Sequence, residues 1–154
     1  MGYYIDFVFD KDAVKDYREV VKKFCDAGAK TFDIHDRGTP PQHSYVELVY
    51  PGLPGFINVF KEEAKNLRGN WADIRMSWGT KPEEMRENIK RVLVLALKLK
   101  CRVYDGHIKE YVVPDNVDLI LGSFARGARR VENMIGFIDT KKYKKAHEDE
   151  NPDN

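Results

Sequence analysis

Apolar and polar residues alternate from Tyr3 to Phe9, with Tyr3, Ile5, Phe7 and Phe9 on one side and Tyr4, Asp6 and Val8 on the other. A period of two over that length predicts a strand with one hydrocarbon face. Asp10 then reads as the N-cap of a helix whose apolar stripe is Val14, Tyr17, Val21 and Phe24, with Gly28 as its stop. A second strand follows, with Phe32 and Ile34 facing one way and Thr31, Asp33 and His35 the other. The segment 36–42 carries Gly38, Pro40 and Pro41 and reads as a loop. In a third strand over 44–50, Val46, Leu48 and Tyr50 point inward and Tyr45, Glu47 and Val49 outward.

Past the Pro51-Gly52-Leu53-Pro54-Gly55 break, the spacing of Phe56, Phe60, Ala64 and Leu67 predicts a second helix ending at Gly69. Ala72, Ile74, Met76 and Trp78 then alternate with Asp73, Arg75 and Ser77 in a fourth strand. The order to this point, β-α-β-β-α-β, predicts a ferredoxin-like α+β sheet with both helices on one face.

An α-β-β-α extension follows. Thr80 and Glu83 read as a capping box, Pro82 sits in the first turn, and Met85, Ile89, Val92, Leu93 and Ala96 form the stripe of a third helix. Val94, Leu95, Leu97 and Leu99 make its end apolar nearly all round, which predicts burial on more than one side. Cys101–Tyr104 and Ile108–Val113 read as a hairpin around Asp105-Gly106. A last helix over about 116–138 carries Ile120, Phe124, Ala128, Val131, Ile135 and Ile138, with a break expected near Gly122. The expected organisation is a single α+β domain over 1–139 and a frayed, charged tail over 140–154.

Composition narrows the function classes. The 154 residues carry 26 Lys plus Arg against 25 Asp plus Glu, a net charge of +1, which speaks against a generic nucleic-acid binder. Eight Phe, eight Tyr and two Trp supply apolar area for a core, so global disorder is excluded. Met1 to Asp10 lacks the basic start and apolar run of a secretory signal, and Asp6 stands where a myristoylation motif has Ser or Thr. The longest apolar stretch, Val92 to Leu99, is interrupted by Lys98 and too short to span a bilayer. Cys25 and Cys101 form no CxxC and fit a reducing cytoplasm, each as a small buried hydrophobe.

Alternation assigns the outward face of the sheet, which gathers Tyr4, Asp6, Asp33, His35, Tyr45, Glu47, Asp73 and Arg75. In the ferredoxin-like order the first and third strands are central, which would make Asp6 and Glu47 neighbours. Asp33-x-His35 and Asp105-x-His107 have the spacing of strand-borne metal ligands, with His43 as a third imidazole. The loop from His35 to His43 holds titratable groups at both ends and rigid prolines within. GxSxG, GxxxxGK[ST] and GxGxxG are all absent. Tyr4 and Tyr45 suggest an aromatic platform for RNA, but the neighbouring acids would repel phosphates. Between Arg126 and Lys145 lie seven basic residues against Glu132 and Asp139, read as a solvated helix face or a docking strip.

The expectation is a non-catalytic binding or protein-interaction domain using the acidic sheet face and the 35–43 loop. Its partner would be an unidentified protein, a second copy included, or a small ligand, with no cofactor, nucleic acid or membrane. The alternative is a small metal-assisted hydrolase using Asp33, His35, His43 and a carboxylate from Glu47 or Asp6.

Overall fold

The computed structural model describes residues 2–36, 44–64 and 67–150, with side chains described as far as Met134. The first strand, β1 (Tyr3–Val8), forms as its alternation requires, with Tyr3, Ile5 and Phe7 fully buried. Helix α1 (Tyr17–Asp26) starts later than expected. Its N-cap is Asp16, whose carboxylate accepts the Arg18 and Glu19 N–H groups at 2.9 and 3.2 Å. Asp10 instead opens a turn in which its carbonyl accepts the Ala13 N–H, and Val14 is buried from that turn rather than from the helix.

Strand β2 (Lys30–His35) pairs with β3 (Tyr45–Val49), and the register shifts between Thr31 and Asp33. Thr31 lies opposite the buried Leu48 and Asp33 opposite Glu47, so Phe32 falls in the irregularity between faces. Phe32 and Ile34 are 62% and 61% exposed, against the inward placement their alternation suggested. Phe32 packs on Phe56 with ring centroids 4.8 Å apart, and Ile34 sits on an edge strand the core does not reach.

The segment expected to be a second helix is instead strand β4 (Ile57–Phe60), with Ile57 and Val59 buried and Asn58 and Phe60 half-buried on the other side. Two β-branched residues at a period of two outweigh four apolar residues at a helical spacing. Gly55, at φ +87°, makes the turn possible, since a Cβ there would stand 2.8 Å from the Arg75 carbonyl oxygen. Strand β5 (Asn70–Met76) then runs back beside both β4 and β1, burying Ala72, Ile74 and Met76.

Helix α2 (Pro82–Leu99) begins at Lys81 with no side-chain cap, so the Thr80/Glu83 capping box does not form, although Pro82 occupies the first turn. Met85, Ile89, Val92, Leu95, Ala96 and Leu99 are buried, whereas Val94 and Leu97 are exposed, so the apolar end is covered on one side only. Strands β6 (Arg102–Asp105) and β7 (Glu110–Tyr111) form the expected hairpin. A 3-10 turn over Pro114–Asn116 leads into α3 (Val117–Glu150), which continues without a break through Gly122. The Arg86 guanidinium meets the Asp118 carboxylate at 2.6 Å and ties α2 to α3.

The result is an α+β fold built on a seven-stranded antiparallel sheet in the order β2-β3-β4-β5-β1-β6-β7. It is not the ferredoxin-like order, because four successive strands separate α1 from α2. β1 and β2 lie four places apart, so the connection carrying α1 crosses the sheet. Residues of all three helices join Ile5, Phe7, Leu48 and Ile74 in one apolar cluster. The polar face of the sheet therefore looks away from that core. No helix among the described residues is long and apolar enough to cross a membrane.

Candidate functional site

Cross-strand partners share a face, so the pairing registers assemble one continuous row over the polar side. Asp33 faces Glu47, Glu47 faces Asn58, Asn58 faces Asp73, Asp73 faces Asp6, and Asp6 faces Tyr104. The expected gathering of Asp6, Asp33, Glu47 and Asp73 on one face is thus present, with different neighbours. Asp6 and Glu47 are not adjacent; β4 and β5 stand between their strands. Asp6 faces Asp73, a pairing that the position of β5 beside β1 creates.

That carboxylate pair is largely buried and electrostatically costly. Burial, then the charge of Asp6, push the Asp73 carboxyl up to about 7, while a 3.1 Å hydrogen bond from the Asn58 amide works against the rise. Burial, then the charge of Asp105, raise Asp6 to about 6, opposed by a hydrogen bond with the Asn70 side chain and by His107. Near neutral pH the pair can therefore hold a proton that an isolated carboxylate would have lost.

Two places along the row lies a second cluster. The His35 Nε2 lies against the Glu47 carboxylate and 3.7 Å from Asp33, and its ring stacks on Tyr45 at a centroid separation of 4.5 Å. Beyond Glu47 the face deepens into a groove of about 410 Å³ lined by Tyr4, Tyr45, Phe56, Asn58, Arg75 and neighbouring residues. Tyr4 and Arg75 face each other across β1 and β5. Sequence reasoning missed Asn58 and Phe56, because both belong to the segment assigned to a helix. The alternation of Ile57 and Val59 was the signal that would have found them.

His43 and most of the 35–43 loop lie outside the described residues. Asp36 closes the loop's near end, taking the Ser44 hydroxyl at 3.1 Å and lying 3.4 Å from Lys61 Nζ. Asp105 and His107 cannot join Asp33 and His35 in one metal site. β6 is five strand places from β2, about 24 Å at the usual spacing. Asp105 is also buried on the core side. Asp6 is likewise out of reach of His35, which leaves Glu47 as the carboxylate beside it. Among the described residues no group of three His, Cys, Asp or Glu is arranged to hold a metal ion. Cys25 is exposed rather than buried; Cys101 is half-buried, and burial pushes its thiol up to about 12.

Fold and site together define an antiparallel α+β protein with its helices on one side and an open, aromatic and acidic sheet face on the other. Comparison of the chain with protein-family models, curated proteins and solved structures gives no match.

Proposed function

We propose that the chain is a non-catalytic binding domain whose open sheet face takes a basic segment of a partner protein. The observation that carries this reading is the groove itself, in which the rings of Tyr4, Tyr45 and Phe56 stand beside Glu47 and the acidic row. Aromatic faces next to carboxylates suit Lys or Arg side chains, whose stems pack on the rings while the charge meets the acids. A concave, largely apolar surface with a few fixed polar groups is the usual form of a ligand site.

The test is an amide chemical-shift titration of the chain with a heptapeptide alternating Lys and Ser, compared with its Glu/Ser counterpart. The Lys peptide should shift the amides of Tyr45, Glu47, Asn58 and Arg75, and Glu47→Gln or Tyr45→Ala should weaken it several-fold. Equal binding of the Glu peptide at those amides would overturn the reading. The one competing proposal is a metal-assisted hydrolase, for which His35 lies against Glu47 and which would use Asp33 and His43 as well. Stoichiometric zinc or manganese in the purified protein, lost in His35→Ala, would favour that competitor.

A further inference from the structure

The basic residues of α3 frame a second cleft, of about 380 Å³, away from the sheet groove. Its walls are Ser123, Arg126, Gly127 and Arg130 from one helical face, with Trp78 and His107 opposite. Residues three, four and seven apart line one side of a helix, so Arg126 and Arg130 border the same space from adjacent turns.

Two features hold that wall in place. Trp78 stacks on Phe124 at 5.5 Å and presses its ring against α3 at Gly127, where any Cβ would collide with the indole. Gly122 leaves room for Arg126, whose Nη1 would stand 3.4 Å from a Cβ at that position. The glycines that weaken this helix in isolation therefore shape the cleft.

The charges around the cleft are unbalanced in favour of an anion. Among the described residues neither Arg126 nor Arg130 has a carboxylate partner. The nearest buried acid, Asp105, is engaged elsewhere, accepting the Tyr3 hydroxyl and the His107 backbone N–H at 2.8 Å. Tyr3 in turn hydrogen-bonds Ser123 and stacks on the His107 ring at 4.2 Å, so it braces two residues that line the cleft. Glu132 stands two residues from Arg130 and so off the face that lines the cleft.

We propose that this cleft binds a phosphoryl dianion, free or esterified on a small molecule, between the guanidiniums of Arg126 and Arg130 with the His107 ring beside them. Guanidinium forks match the several acceptor oxygens of a phosphoryl group better than they match a single carboxylate edge. No glycine-rich loop is required, because side chains rather than backbone N–H groups supply the donors.

Calorimetric titration of the full chain with inorganic phosphate, phenyl phosphate and phenylacetate tests the assignment. At least one phosphoryl probe should bind, and Arg126→Gln and Arg130→Gln should each weaken it about tenfold or more. Glu47→Gln should leave that binding unchanged, which separates this site from the sheet groove. Tighter binding of phenyl phosphate assigns an esterified ligand, and equal binding assigns the free anion; either supports the proposal. Both arginines are exposed and Gln is a good helix former, so the variants should fold. No binding of either phosphoryl probe, unchanged affinity in both arginine variants, or phenylacetate binding as tightly as phenyl phosphate would overturn it.

Discussion

At the residue scale, the acid that matters most electrostatically is not Glu47, which has His35 against it, but Asp73, which faces Asp6. Both carboxyls of that pair titrate higher in the folded chain, near 7 and 6, than in an unfolded one, near 4. The folded state then binds more protons between those limits, so the stability they contribute is full below about pH 4 and falls as pH rises through 6 and 7. Denaturant titrations at pH 5 and 8 should show this loss. Asp73→Asn should flatten it and stabilise the chain at pH 8 by about 1–3 kcal/mol, the raised carboxyl being largely buried. Tyr3→Phe should act in the other direction. It removes a donor from Asp105, which is 0% exposed, and leaving a buried carboxylate short of a partner costs about 1–3 kcal/mol.

The elements differ in how much of their identity the chain itself carries. In β5 the alternation is unambiguous, and Ile74→Ala, at a fully buried position, should cost about 2–5 kcal/mol by denaturant titration. Ile34→Ser on β2 should cost under about 0.5 kcal/mol, because that side chain is already exposed. In α3 the two glycines should respond oppositely to alanine. Gly122→Ala should stabilise by up to about 1 kcal/mol, since only a flexible Arg126 must move. Gly127→Ala should destabilise by about 1–3 kcal/mol despite the same gain in propensity, because the Trp78 ring is held against α3 by its stack on Phe124 and its edge contact with Tyr3. Thermal melts of the two variants give the comparison directly.

For the whole molecule, the sheet order sets a gradient of stability. β1 and β5 pair along almost their whole lengths near the middle of the sheet, whereas β2 and the two-residue β7 are edges. Hydrogen exchange should accordingly be slowest at Ile5, Phe7 and Ile74 and fastest at the β2 and β7 amides. Protection of β2 equal to that of β1 would mean that the edge is covered by something further. The same order separates the two clefts. The sheet groove is lined from β1, β3, β4 and β5 and carries both Glu47 and Arg75, whereas the basic cleft lies between Trp78, the β6–β7 turn and α3, so the two clefts are built from different elements.

Alternation alone was enough to set the inward faces of β1, β3 and β5 and to place Tyr4, Asp6, Tyr45, Glu47, Asp73 and Arg75 on one polar surface, because a period of two leaves no second assignment. The helical stripe of α2 and the Asp105-Gly106 hairpin were legible for similar reasons of spacing. Only the tertiary structure decided which strands are neighbours. Pairing is a choice among distant segments, and no local pattern shows that β5 lies beside β1, that Asp6 therefore faces Asp73, or that Glu47 faces His35's strand instead. It also decided β4, where Ile57 and Val59 needed partners on both sides before a strand outcompeted a helical spacing. The irregularity that turns Phe32 away from the core is likewise a property of the β2–β3 pair. The basic cleft depended on it most of all, since Trp78, His107 and Arg126 are far apart in the chain and meet only when α3 packs across the end of the sheet.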